Sequence, residues 1–149
     1  MPKSVITHWP TAPADWPAEL RLEFAERAGN GQVGSCLVSE TDRVRVWLLS
    51  LKPGERIGFH THVLDYFWTA VTAGEARSHY GDGHVAEVKY AAGDTRHHHY
   101  AVDEFMVHDL ENIGHTELVF TTVEFLDSAN APLDLLGASS NPCKNEIAR

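Results

Sequence analysis

Cysteine is nearly absent from this chain. Cys36 and Cys143 are the only two and lie far apart in sequence. They form neither a disulfide framework nor a zinc-type spacing, and they read as buried or idle thiols, which fits a reducing cytoplasm. Basic residues are also scarce: 12 Lys and Arg against 21 Asp and Glu leave a formal charge of −9. Nucleic acid and anionic membrane both call for clustered Lys and Arg, so neither is an expected partner. No apolar run approaches the roughly 20 residues that span a bilayer. No basic segment followed by an apolar one opens the chain. There is no repeat of solenoid period and no low-complexity tract. What is present is a chain of 149 residues with 43% hydrophobic content and ten histidines, a high number for this length. One domain with its own core is the expectation.

Residues 1–17 carry Pro2, Pro10, Pro13 and Pro17 with Trp9 and Trp16. Proline at that density excludes a helix interior or a central strand, so this is an extended arm. Its two indoles must cover something apolar, either this domain or a partner subunit. In the next segment Leu20, Phe24 and Ala28 fit a helical stripe, while Leu20, Leu22 and Phe24 equally fit strand alternation. A short helix is the expectation, because Pro17 suits a first turn. From Gln32 to Asp127, short β-like runs alternate with turns such as Lys52-Pro53-Gly54, Gly81-Asp82-Gly83 and Asn112-Ile113-Gly114. That spacing predicts an all-β sandwich or barrel. The expected organisation is arm and short helix over 1–31, barrel over 32–127, and a tail over 128–149 that packs on the barrel.

The candidate chemistry centres on His60-Thr61-His62. Side chains two apart on a strand share a face, so two imidazoles aim into one space. Neutral imidazole is the commonest protein metal ligand. Gly54, His60, His62 and Gly74 stand at the spacing of the first cupin motif, and His108 with Asn112 at that of the second. The chain therefore resembles the cupin superfamily over roughly Val44 to Asp127. The resemblance implies a double-stranded β-helix, a jelly-roll barrel, with His60, His62 and His108 as metal ligands. It also implies a homodimer.

Two departures qualify the resemblance. The motif-one Glu slot holds Phe67, or Tyr66 at the alternative spacing, and Asp65 lies out of register. The segment before His108 is longer than the family pattern and contains His97-His98-His99. His97 and His99 share a strand face, so one of them is a candidate for the vacant ligand position. An all-imidazole site suits Fe, Zn, Ni or Cu, with Mn a further possibility, and leaves the 2+ charge uncompensated, which favours an anionic small molecule. It resembles three-His cupins, among them thiol dioxygenases and diketone-cleaving enzymes. The expectation is a metal-dependent dioxygenase on a small organic acid, with Tyr66 or Asp65 handling protons. Zn or Mn hydrolase, lyase or isomerase chemistry, or non-catalytic metabolite binding, is the alternative. Arg96 is a candidate for a substrate carboxylate, while His79, His84 and His115 read as solvated.

Overall fold

The computed structural model describes residues 2–136. One helix, α1 (Ala18–Arg27), precedes nine strands: β1 (Cys36–Glu40), β2 (Val44–Leu51), β3 (Arg56–His62), β4 (Tyr66–Ala70), β5 (Gly74–His79), β6 (Val85–Tyr90), β7 (Thr95–His98), β8 (Met106–Asn112) and β9 (Leu118–Phe125). Two antiparallel sheets face each other, in the orders β1-β2-β9-β4-β7 and β3-β8-β5-β6. This is the double-stranded β-helix that the cupin resemblance implies, and it narrows the sandwich or barrel that the spacing of runs and turns predicts.

The segment that fits helix and strand equally well is helical. Glu19 in its first turn and Arg27 in its last suit the helix dipole, and Phe24 is buried. Strand alternation sorts the rest. Leu49, Leu51, Ala70, Ala76, Leu110, Leu118 and Phe120 meet between the sheets and fill one end of the barrel. A second cluster, Trp16, Phe24, Ala28, Phe59 and Val107, lies on the outer face of β3 and β8, beneath α1 and the arm. The arm thus covers its own barrel: Trp16 stacks on Phe59 at 5.7 Å, and Trp9 meets Phe105 edge-on at 5.0 Å. The arm is clipped to the segment after β9, since Ser4 bridges Asn130 in parallel and Ala131 N–H donates to the Ser4 carbonyl at 2.7 Å. Cys36 is buried and is not a free thiol, which corrects the idle-thiol expectation. Cys143 and the rest of 137–149 lie outside the described residues.

Both motif glycines have a mechanical reason. Gly54 has φ +84°, a left-handed turn that side chains resist. At Gly74 a Cβ would stand 2.5 Å from Leu118 Cδ2, so only glycine lets the backbone approach that closely. Asn112, the motif-two Asn, is buried and tethers its loop. Its amide donates to the Leu51 and Thr116 carbonyls at 2.9 and 2.8 Å and accepts from Gly114 N–H at 3.0 Å.

A bulge in β3 decides where the histidines point. Ile57 pairs with Leu110, but His60 pairs with His108, so β3 holds one extra residue between them. An extra residue reverses the alternation. Ile57 faces inward, Phe59 is thrown outward onto Trp16 and Phe24, and His60 returns to the inside. The Glu23 carboxylate of α1 accepts the Phe59 N–H at 3.0 Å, a donor that the bulge would otherwise leave unpaired.

Candidate metal centre

His60, His62 and His108 converge on the inner face where β3 pairs with β8. One ring nitrogen from each lies within 4.8 Å of the others, and no carboxylate joins them among the described residues. His60 and His62 are each 3% exposed. Ring centroids stand 4.6 to 5.3 Å apart. His62 Nε2 and His108 Nε2 face each other at 3.2 Å. Two imidazoles bound to one ion at roughly 2.1 Å would place their nitrogens roughly 3.0–3.4 Å apart, so this spacing fits a shared ion. His60 Nδ1 donates to the Gly58 carbonyl inside the bulge at 2.9 Å, which leaves Nε2 as its lone-pair atom. The Nδ1 atoms of His62 and His108 are buried with no hydrogen-bond partner among the described residues. Buried rings with one contact each are costly, and a cation shared by their facing nitrogens would offset that cost. Burial pushes His60 down to about 4, and burial together with neighbouring imidazoles holds His62 and His108 well below the ordinary histidine value. Neutral rings are the form that binds metal.

Tyr66, one of the two residues that could fill the motif-one Glu slot, lies on the inner face beside the histidines. It pairs with Glu124 across the strands, and its ring stacks on His62 at 4.1 Å and on His98 at 4.7 Å. Burial raises its phenol well above 10, so the O–H remains a donor. The inner chamber, about 60 Å³, is bounded by the three histidines, Tyr66, Trp68 and Phe120. An outer vestibule of about 350 Å³ adjoins it, bordered by Tyr80, Arg96 and His98.

Other expected residues stand elsewhere. Asp65 is half-buried and spent on structure: it accepts from Tyr100 N–H at 2.9 Å and pairs with His99 Nδ1 at 3.0 Å. His97 and His99 do share a face, but it is the outer one. The β7 register sets Tyr66 opposite His98 and Phe67 opposite His97, so His98 turns inward, His97 lies against Phe67, and His99 is exposed. Neither takes the vacant ligand position in this arrangement. His79 is not simply solvated, because its Nδ1 reaches Asp109 at 3.0 Å. His84 is exposed beside Asp82.

Two buried carboxylates escaped the reading of the sequence. Asp109 is fully buried behind His108 and binds Arg56 Nε at 2.8 Å as well as His79. Glu124 is 2% exposed and accepts the Trp47 indole N–H at 2.7 Å. Burial pushes its pKa up to about 7. The period-two run Leu118, Phe120, Thr122, Glu124 carried the signal for Glu124.

Solved structures share this architecture. The chain is similar to a cupin domain from Bordetella pertussis, 25% identical, covering 60% of this chain and 88% of that one with a TM-score of 0.52. It is also similar to a protein with a double-stranded β-helix domain from Klebsiella pneumoniae subsp. pneumoniae, 31% identical, covering 66% and 79% with a TM-score of 0.51. No family model matches the sequence, and no curated protein matches it. Fold, site and neighbours agree, and the chain belongs to the cupin superfamily. Its barrel carries a possible three-histidine metal site, and no described helix is long and apolar enough to cross a membrane.

Proposed function

We propose that this cupin is a metal-dependent enzyme, a dioxygenase acting on a small organic acid or related metabolite. The observation that carries the reading is three neutral imidazoles sharing one point, with no carboxylate among them, in a chamber walled by aromatic rings. His60, His62 and His108 would hold Fe(II), which when bound supplies open coordination positions and Lewis acidity. Tyr66 contributes an O–H held protonated beside His62, able to donate to a substrate oxygen. Trp68, Phe120 and Leu110 keep the chamber apolar, which strengthens every polar contact inside it. The same phenol would serve a Zn or Mn hydrolase, lyase or isomerase as its proton donor, and that is the second reading.

Metal content of protein purified without a His-tag tests the site. Wild type and His84→Ala should each retain close to one ion per chain, and His60→Ala should retain almost none. Equal content in all three would remove the site. Oxygen uptake by the iron form with thiols, diketones and hydroxy acids then separates dioxygenase from hydrolytic or lyase chemistry.

A further inference from the structure

The vestibule holds a cation for which the metal chemistry has no use. Arg96 pairs with Trp68 across β7 and β4, two residues from His98 opposite Tyr66. Directly opposed residues share a face, so Arg96 points with Trp68 toward the cavity. Arg45, Arg56 and Arg77 each hold a carboxylate at 2.6 to 2.9 Å. Arg96 makes no hydrogen bond and no ion pair among the described residues, although acidic groups outnumber basic ones by 21 to 12. The acid nearest in sequence, Asp94 at the rim, instead accepts the Ala91 N–H at 2.8 Å.

We infer that Arg96 anchors the carboxylate of the substrate, and that the substrate is a small monocarboxylic acid with a flat apolar body. A guanidinium presents two parallel donors that match a carboxylate. Arg96 brings one unpaired positive charge, Lys89 on the same vestibule faces Glu75 at 4.0 Å, and Asp94 on the rim disfavours a phosphate dianion. Trp68, Tyr66 and Tyr90 form the wall beneath and offer ring faces and edges to a planar body. Arg96 stands two residues, roughly 7 Å of strand, beyond His98. An acid anchored there would direct its far end at the three imidazoles. That orientation rests on the function proposed above, whereas the anchoring itself does not require the ion.

Calorimetric titration of the full chain with benzoate, phenylacetate and cinnamate, and with the matching amides, tests the anchor. Both metal-stripped and zinc-loaded protein are used. At least one acid should bind roughly ten- to a hundredfold tighter than its amide. Arg96→Gln should reduce that acid to the level of the amide, Arg96→Lys should keep part of the preference, and amide binding should not change. The pattern should appear in stripped protein as well. Equal acid binding by wild type and Arg96→Gln, or no acid preferred over its amide, overturns the proposal. Arg96-dependent binding in a protein whose His60→Ala variant still holds its metal would leave the anchor standing and remove the three-histidine centre.

Discussion

At Glu124, burial outweighs the Trp47 hydrogen bond and the charge of Arg45, its partner across the strands. The carboxyl's folded value of about 7 lies above the ordinary 4.5. Between those values the folded chain keeps a proton that the unfolded chain has released, so stability falls as pH rises through that window and stays lower above it. The loss amounts to at most about 3 kcal/mol. Glu124→Gln keeps an acceptor for the Trp47 indole and removes the titration. Urea unfolding at pH 4.5 and 8 should show the variant gaining on wild type by about 2–3 kcal/mol at the higher pH. A constant difference between the two pH values would contradict this account. The buried imidazoles act in the opposite sense: their values are lowered, so their contribution is lost as pH falls below the unfolded histidine value.

The element that organises the site is the bulged strand β3, and α1 holds the bulge. Glu23 grips Arg56 through both oxygens at 2.7 Å and also takes the Phe59 N–H. Arg56 passes the connection to Asp109, next to His108 in sequence but on the opposite face. Helix, bulge and ligand strand are therefore joined by one partly buried network. Glu23→Ala should cost about 2 kcal/mol in urea unfolding, since a charged pair and a backbone acceptor are lost together. It should also weaken metal retention, because His60 depends on the Gly58 carbonyl within the bulge for its aim. Glu26→Ala, on the exposed side of the same helix, should do neither. Unchanged metal retention in Glu23→Ala would mean that the bulge holds without the helix.

For the molecule as a whole, metal binding and folding are linked. An ion bound only by the folded barrel stabilises it by RT ln(1 + [L]/Kd), about 2.7 kcal/mol at a hundredfold excess over Kd. Zinc should raise Tm by several degrees, EDTA should reverse the rise, and His60→Ala should not respond. A metal-induced rise in His60→Ala equal to that of wild type would place the binding elsewhere.

Much of this protein was legible in the chain. The strands follow period-two runs broken by Gly, Pro and Asn; alternation joined His60 to His62, while Gly54, Gly74 and His108 were legible through their match to the two cupin motifs. Alternation is a local property, so it also told that His97 and His99 lie on one face and His98 and Arg96 on the other. Which face looks inward is not local. It depends on where β7 meets β4, a pairing between residues some thirty positions apart, and that pairing turned His98 and Arg96 to the cavity. For the same reason the inward aim of Tyr66 and the burial of Asp109 under an N-terminal helix needed the tertiary structure. Local sterics and hydrogen bonding write themselves into sequence, whereas register between distant strands is settled only when the sheets close around a common core.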